Sequence, residues 1–556
     1  MQKRDWIGLS LIIIGALLIR FVLMSKHYAV GFDEVNYLKL AASGRINGLN
    51  HVLHTYWSPL YPAAVALFSY IVPDFELAGR LVQILSSIGV ILVIFFFAKD
   101  KFDKKIAFAA ALLLAFFTLF ARYSVKAEAD IFYTFIALIG ILSGWFALEK
   151  KKLFPALAAG VCFGMAYLAR PEGIGFLGTY LGAVFVVLIY QIFTKTNIVK
   201  TFLIILLAIV GFSLLFTPYF YFLHRETGVW TISTKGTVNQ QGSMYVEKMS
   251  EYKENPFHVV NDDNTKLMQD EIYHIGNFVN RVEEEGKPVV EVRIFDLLKK
   301  MIENFYKIIT EAMSQVLTVP LLMLFGLGLF GQIWKRERTL LNLYLMCYIA
   351  FFWFVLIPAF HINLRYFMPV LPIAFIWIAD GVIKFIDWGT DTLKENIAKW
   401  PKFISPKVLS IIFVTVVISV GTIFPELAKR LGRSKYAVEE YVPAIEQKQA
   451  GLWLRKNGVK SPIVMAYNHA VGFYAGNYEI KESVEIPENK IDRVVAYARN
   501  RGVNYLVLDD RYRMHHPLIA HVYDNQDVPP DLKLIHEFEL KNGLKTHIFQ
   551  IMKKNE

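Results

Sequence analysis

Long apolar segments constrain the fold of this chain more than any other feature. A helix needs roughly 20 predominantly apolar residues to cross a bilayer, and about eleven segments meet that criterion. Lipid offers the backbone no hydrogen-bonding partners, so that such segments are expected to be helical. A hydrophobic content of 55% agrees with this interpretation. We predict a polytopic α-helical membrane protein with spans at residues 7–24, 79–98, 106–121, 131–148, 153–169, 174–193, 201–223, 308–334, 340–358, 366–386 and 408–424.

Basic residues predict the orientation of these spans, because lysine and arginine accumulate in short cytoplasmic connections. The apolar segment 60–72 is too short to cross, and counting it as a span would place most basic connections outside. We therefore interpret it as an interfacial or re-entrant helix in the first external loop. The N-terminus is then cytoplasmic and the C-terminus external, in the plasma or inner membrane. The basic connections are residues 3–4, 99–105, 150–152, 195–200, 335–338 and 394–407.

The net charge of +11 would elsewhere suggest a nucleic-acid partner. Here much of the basic charge lies between apolar segments and reports membrane topology, so we predict the lipid bilayer as a partner and no nucleic acid. The two cysteines, Cys162 and Cys347, both fall inside apolar runs. Their positions predict neither a disulfide framework nor a zinc site.

Two domains are predicted from the change in composition near residue 425. Residues 1–425 form the transmembrane domain, with external loops at 25–78 and 224–307. Residues 426–556 are soluble in composition and alternate helical and strand-like stretches, which is typical of a small external α/β domain. This second domain has no glycine-rich phosphate-binding motif, and we assign it no catalytic role.

Two adjacent carboxylates, Asp33 and Glu34, follow the first span in the sequence GFDEVNY. Charged groups at a membrane are costly and usually serve a function. Their presence suggests acid or base chemistry at the bilayer surface.

The short external connections are also charged, against the trend that the topology predicts. Charges retained at one membrane face indicate a site that binds an anion and also holds carboxylates. The alternative is that these side chains snorkel to the interface or pair with one another. They are Arg122, Lys126, Glu128 and Asp130 in ARYSVKAEAD, Arg170 and Glu172 in ARPEG, and His361 and Arg365 in HINLRY.

Taken in order, these motifs resemble the C-type (GT-C) polyprenyl-phosphate-dependent glycosyltransferases, in particular the branch of protein mannosyltransferases and lipid A aminoarabinose transferases. The similar features are the acidic pair, the segment WSPLYP, a helix with an early arginine at Arg80, the motifs ARYSVKAEAD and RPEG, GVWTISTKG at 228–236 and RYFMPVLP at 365–372. The resemblance covers most of the chain and implies a GT-C fold.

The resemblance implies a donor sugar on a polyprenyl phosphate and an acceptor hydroxyl on a lipid, a glycan or a protein. It also implies an inverting hexosyl or pentosyl transfer, because a phosphate leaves readily once cations neutralise it and a carboxylate takes the acceptor proton. Asp33 matches the family base, and Glu34 is assigned to orienting the acceptor or an arginine. Asp130 matches the second family acid, with Glu128 as the alternative. The phosphate is assigned to Arg365, Arg122 and Lys126, supported by Arg170 and Lys235.

One departure concerns the segment YWSPL, where Tyr56 and Trp57 replace an acidic and a basic residue of the aminoarabinose branch. Aminoarabinose is therefore a less expected sugar. The histidines His51, His54 and His361 are scattered, so we expect no metal and no cofactor. The competing class is a transporter or flippase of a lipid-linked or anionic substrate, for which charges near the midplane and paired repeats are typical.

Overall fold

Apolar helices form most of the computed structural model, which describes residues 2–235, 258–276, 294–360, 362–396, 405–430, 444–540 and 543–552. Within these residues six helices are long and apolar enough to cross a membrane, and a bent pair gives a seventh if it is counted as one span. The predicted class of a polytopic helical membrane protein is confirmed. The predicted number of about eleven spans is not confirmed by this criterion.

The main helices up to Arg430 are numbered here in chain order, and short helical turns between them carry no label. They are α1 (Lys3–Lys26), α2 (Phe32–Asn47), α3 (Leu60–Phe68), α4 (Phe75–Lys101), α5 (Lys104–Phe116), α6 (Thr118–Tyr123), α7 (Asp130–Lys150), α8 (Leu153–Ala169), α9 (Ile174–Phe193), α10 (Val199–Thr227), α11 (Ile294–Lys307), α12 (Val319–Phe330), α13 (Arg336–Phe351), α14 (Leu371–Asn396) and α15 (Pro406–Arg430).

The predicted span at 308–334 is not one continuous helix, because the helix breaks within it. The helical stretch Leu297–Val316 meets Val319–Phe330 at an angle of 99°. Thr318 has an extended ψ of 154°, and Pro320 lies in the first turn of the new helix. A proline is tolerated at a helix start but not in a helix interior, so it favours a new helix at this point.

A smaller break divides the predicted span 106–121 into α5 and α6. Phe117, between the two helices, has an extended ψ of 113°. The buried Arg20 of α1 stabilises the break, because its Nη1 donates a 3.0 Å hydrogen bond to the carbonyl of Ala115 near the end of α5. Its Nε donates to the hydroxyl of Ser87, 2.7 Å away. A charged side chain inside an apolar bundle is tolerated when such partners satisfy it.

Close helix contacts in the bundle depend on glycines. A Cβ atom at Gly160 of α8 would clash with the carbonyl oxygen of Ala208 in α10, and one at Gly328 of α12 would clash with that of Trp377 in α14. Small residues permit such approaches of helix backbones in membranes, where packing rather than the hydrophobic effect drives association.

The two ends of the helix bundle differ in their charges. At one end Lys104 pairs with Asp5, and Lys101 Nζ lies 2.6 Å from an oxygen of Glu149. These lysines belong to the basic connections identified in the sequence. At the opposite end α1 and α8 terminate, and α2, α4 and α7 begin. The predicted charged motifs lie at this opposite end.

The C-terminal unit, from α16 (Ile445–Asn457) onward, contains a four-stranded sheet. Strands β1 (Val464–Ala466), β2 (Tyr505–Asp509), β3 (Leu532–Glu539) and β4 (Lys545–Ile551) have the order β1-β2-β4-β3. Strands β1 and β2 are parallel, with Val464 opposite Tyr505, whereas β4 runs antiparallel to both β2 and β3. Helix α17 (Ile491–Asn500) precedes β2. The small α/β fold predicted from the alternating pattern is confirmed.

The C-terminal unit packs against the first loop of the membrane part. The hydroxyl of Tyr474 accepts a 3.0 Å hydrogen bond from the Val30 amide and donates to Glu76 at 2.9 Å. Lys39 of α2 donates to the hydroxyl of Ser483, 2.8 Å away. Apolar side chains of both parts, including Tyr37, Leu38, Ala470 and Phe473, share one buried cluster. Helix α2 therefore lies between the helix bundle and the C-terminal unit.

Candidate active site

Asp33 lies in the first turn of α2, at the end of the bundle where that helix begins after Gly31. The Nη1 atom of Arg365 donates a 2.8 Å hydrogen bond to Asp33 Oδ2. The two side chains are 23% and 21% exposed, so that both are accessible to a ligand. Arg365 is itself positioned by a short turn in which its amide donates to the side chain of Asn363, 3.1 Å away.

Glu34, in contrast, is buried, and its side chain is only 1% exposed. Its carboxylate accepts 2.6 Å hydrogen bonds from the amides of Gly31 and Ala127. The Nε2 atom of His27 lies 3.0 Å from the same carboxylate. Glu34 thus caps the start of α2 and ties it to the loop before α7, and its hydrogen-bonding capacity is largely used.

Three cations, Lys235, Arg365 and Arg170, act electrostatically on Asp33. Lys235 Nζ lies 4.5 Å from the ring centre of Trp57 and 5.2 Å from that of Tyr56. The guanidinium groups of Arg170 and Arg365 each lie 5.3 Å from the ring centre of Tyr366.

Their electrostatic effect is visible in the acidity of Asp33. Burial alone would raise the pKa of Asp33, but Lys235 and Arg365 outweigh it and hold that pKa well below its usual range. Asp33 is therefore ionised at neutral pH, in a strongly cationic environment.

The remaining predicted acids face the same region. Asp130 begins α7 and pairs with Arg170, which also contacts Glu172 at 3.2 Å. Glu128 Oε2 lies 3.8 Å from Arg365 Nη1. Burial is the largest effect on Glu128 and raises its pKa to about 8, against the opposing charge of Lys126.

The structure brings together most of the residues predicted from the sequence. Lys126 joins the cluster through Glu128, at a distance of 3.8 Å. Arg122 is half-buried in the last turn of α6. His361 lies outside the described residues. The predicted residues that are joined by these ion pairs, by the shared ring of Tyr366 or, for Lys235, by its electrostatic effect on Asp33 are here called the Asp33 cluster. They are Asp33, Glu128, Asp130, Arg170, Lys126, Lys235 and Arg365.

The sequence placed Glu172 among the charged residues of the external face but gave it no individual role, and Tyr366, Tyr56 and Trp57 were given no role in the site. Glu172 and Tyr366 are sequence neighbours of the predicted arginines, in RPEG and RYF, and such pairs are a signal for charge compensation and cation–π contact. Tyr56 and Trp57 were noted only as a departure from a family pattern. Their rings instead form a platform for the ammonium group of Lys235.

One group in the described residues has donor atoms close enough to hold a metal ion. It consists of His274, His469 and Glu485, and its three donor atoms lie within 4.8 Å of one another. These residues are not members of the Asp33 cluster.

Comparison with known proteins relates part of the sequence to a known family and the whole chain to a known fold. Residues 56–222 match the family described as dolichyl-phosphate-mannose-protein mannosyltransferase. No curated protein sequence matches the chain at a significant level.

Solved structures resemble the chain over nearly its whole length. The oligosaccharyltransferase of Archaeoglobus fulgidus in the apo form is 14% identical, with a TM-score of 0.56 over 92% of this chain and 70% of that one. AglB from the same organism, in complex with an inhibitory peptide and a dolichol-phosphate, is 13% identical, with a TM-score of 0.54 over 98% of this chain and 74% of that one. ArnT from Cupriavidus metallidurans, bound to undecaprenyl phosphate, is 14% identical, with a TM-score of 0.54 over 98% of each chain.

The protein is therefore an integral membrane protein with the GT-C glycosyltransferase fold. Residues 56–222 carry in addition the sequence pattern of the mannosyltransferase family. The predicted fold class is confirmed, and the predicted family resemblance is confirmed over residues 56–222.

Proposed function

We propose that this protein is an inverting glycosyltransferase that moves a hexosyl or pentosyl unit from a polyprenyl-phosphate donor to an acceptor hydroxyl at the external membrane face. The observation that carries this proposal is the accessible contact between Asp33 and Arg365, beside Lys235 and Arg170. It combines an ionised carboxylate with a group of cations at the end of a helix bundle. These are the two parts needed to take a proton from a hydroxyl and to bind a departing phosphate.

Lys235 and Arg365 are assigned to the donor phosphate, with support from Arg170. Lys235 contacts the rings of Tyr56 and Trp57 and interacts electrostatically with Asp33, which places its ammonium group beside the proposed base. Arg170 already contacts two carboxylates, Asp130 and Glu172, and its main effect is to hold them in place. Lys126, 3.8 Å from Glu128, extends the positive charge of the Asp33 cluster, and Arg122 in the last turn of α6 remains a further candidate for the phosphate.

Donor binding also changes the state of Asp33. Arg365 Nη1 donates a hydrogen bond to Asp33, and a phosphate that enters the cluster competes for this guanidinium group. Once Arg365 turns to the phosphate, the carboxylate loses its closest cation and its pKa rises toward the usual range. Asp33 thereby becomes a stronger base at the moment when the donor is in place.

The transfer step follows from these assignments. Asp33 takes the proton of the acceptor hydroxyl while the acceptor oxygen forms a bond to the anomeric carbon. The bond between that carbon and the phosphate oxygen breaks, and the electron pair leaves with the polyprenyl phosphate. Arg365 and Lys235 stabilise the charge that develops there. A single displacement inverts the anomeric configuration. Asp130 or Glu128 contacts the sugar or the acceptor.

The comparisons support the class of donor. The similar structure of ArnT is bound to undecaprenyl phosphate, and that of AglB is in complex with a dolichol-phosphate. A sugar linked to a long isoprenoid phosphate is accordingly the proposed donor, and a lipid, a glycan or a protein supplies the hydroxyl. The basic connections at the end opposite the Asp33 cluster support an external active face and a cytoplasmic N-terminus.

Transfer from a panel of radiolabelled polyprenyl-phosphate sugars to lipid, glycan and peptide acceptors tests the proposal. The wild-type protein in nanodiscs should transfer at least one sugar, and Asp33→Asn should lower the rate by about 10²–10⁴-fold, as expected for a lost general base. Glu226→Gln is the matched control, since Glu226 is an exposed carboxylate paired with Arg225 at the end of α10. Equal rates in wild type and Asp33→Asn would contradict the assignment. Movement of a lipid-linked sugar across the bilayer without transfer would favour the transporter alternative.

A further inference from the structure

A cluster of donor atoms lies at the junction of helix α2, segment 258–276 and the C-terminal unit. Glu485 Oε1 lies 3.1 Å from His469 Nε2 and 3.5 Å from His274 Nε2. The side chains are 8%, 1% and 0% exposed in the same order. His274 comes from segment 258–276, whereas His469 and Glu485 come from the C-terminal unit.

The buried histidines lack the hydrogen bonds that such groups normally have. Neither ring nitrogen of His274 has a hydrogen-bond partner among the described residues, and Nδ1 of His469 has none either. A buried polar atom without a partner is unfavourable, and native structures contain few of them. A positive ion between Glu485 Oε1 and the Nε2 atoms of His274 and His469 would supply the missing interaction for His274 Nε2.

The distances suit a tetrahedral metal ion. Bonds of about 2.0–2.1 Å place tetrahedral ligand atoms about 3.3–3.4 Å apart, close to the two separations measured from Glu485. Two imidazoles and one carboxylate form a donor set that favours zinc over magnesium or calcium, which prefer oxygen ligands only.

We propose that His274, His469 and Glu485 bind a divalent transition-metal ion, for which zinc is the best fit. Asp270 offers a fourth oxygen, because its Oδ1 lies 3.8 Å from His274 Nε2. This carboxylate is held in position by the hydroxyl of Tyr497, which donates to its Oδ2 at 2.6 Å.

The ion has a structural role that extends to the catalytic helix. The His469 ring lies 5.5 Å from the ring of Phe32, the residue before Asp33, and the His274 ring lies 4.0 Å from that of His469. The ion thus fastens segment 258–276 to the C-terminal unit directly behind the first turn of α2. It takes no part in the transfer step, which leaves the expected metal independence of the chemistry unchanged.

Metal analysis of the full-length protein tests this site. The chain is purified in detergent through a tag without histidines, in metal-free buffers, and its metal content is measured by plasma mass spectrometry. We expect about one zinc per chain, and less than about a tenth of that in the double variant His274→Ala/His469→Ala. His51→Ala is the matched control, since His51 is exposed and should leave the metal content unchanged.

Two further variants keep the test valid if the double variant does not fold. Glu485→Gln preserves the shape of the side chain and should weaken zinc retention during dialysis, whereas His469→Cys replaces one zinc ligand by another and should retain the metal. A chelator should lower the Tm of the wild type, and added zinc chloride should restore it. A wild-type protein that contains no stoichiometric metal and whose Tm does not respond to zinc chloride would overturn the proposal. Full zinc retention by the double variant would overturn it as well.

Discussion

The contact between Asp33 and Arg365 predicts how the enzyme loses activity in acid. In the wild type the ionised form of Asp33 persists to low pH, because nearby cations hold its pKa well below the usual range. Arg365→Gln removes the cation that donates the 2.8 Å hydrogen bond. The pKa of Asp33 should then rise, and transfer should be lost at a higher pH on acidification.

The size of the shift follows from the contact. A hydrogen bond to a charged group contributes about 1.5–3 kcal/mol, and one pKa unit corresponds to about 1.36 kcal/mol. Both side chains are about one-fifth exposed, so that solvent screens part of the interaction. Lys235 and Arg170 remain in place and continue to favour the ionised form. We therefore expect the acid limb to move upward by about one pH unit rather than two.

The assay is the pH dependence of kcat/KM, which reports ionisations of the free enzyme. Rates are measured from about pH 8 down to the lowest pH at which the protein remains folded, past the usual aspartate pKa of about 3.9, and are normalised to the plateau, because the loss of Arg365 also weakens donor binding and lowers the whole curve. Arg225→Gln is the control, since it removes an exposed arginine paired with Glu226. Superimposable normalised curves for wild type and Arg365→Gln would refute the role of Arg365 in setting the ionisation of the base. A downward shift would refute it too.

Three further predictions concern the supports of the site. Glu34→Gln should destabilise the protein by about 1–3 kcal/mol, because buried amides lose a charged acceptor; an unchanged Tm with abolished transfer would instead make Glu34 catalytic. Burial lowers the pKa of Lys39 to about 7 in the folded protein. Between this pH and about pH 10 the unfolded chain therefore binds one more proton than the folded chain, and the free energy of unfolding should rise with pH. Thermal unfolding at several pH values should show that Lys39→Met removes this rise, and an identical pH dependence would contradict it. Gly328→Ala should cost about 1–3 kcal/mol, because its Cβ would meet the Trp377 carbonyl, whereas Gly326→Ala on the same helix, with open space around it, should be neutral.

The sequence predicted the membrane class and all seven residues of the Asp33 cluster, because both depend on patterns that lie along the chain. Apolar length decides whether a segment favours lipid, and charges kept at the external face indicate a site before any distance is known. The different environments of Asp33 and Glu34 were harder to predict from the sequence. Adjacent residues of a helix point in different directions, and only the position of the loop before α7 decides which carboxylate receives buried amides.

Composition was a poor guide to the breaks in the helices. The segment 308–334 is apolar throughout much of its length, which satisfies the criterion for a span whether or not the helix is continuous. The 99° bend depends on local backbone preferences near Pro320, which a hydropathy criterion ignores. The cluster of His274, His469 and Glu485 could not be predicted from the sequence either, because its members come from distant segments and do not have the spacing of a metal-binding motif.

Helix α2 links these observations to function. Its first turn presents Asp33 to cations that come from the ends of other segments, and Glu34 fixes that turn to the loop before α7. Its other side contacts the C-terminal unit, through Lys39 and through the packing of Phe32 on His469. The direction of the Asp33 carboxylate thus depends on contacts made by a unit that has no member in the Asp33 cluster. A site in which base and phosphate compete for one arginine tolerates little displacement, since catalytic geometry must hold within fractions of an ångström. This requirement gives the C-terminal unit a physical reason to pack directly against the helix that carries the base.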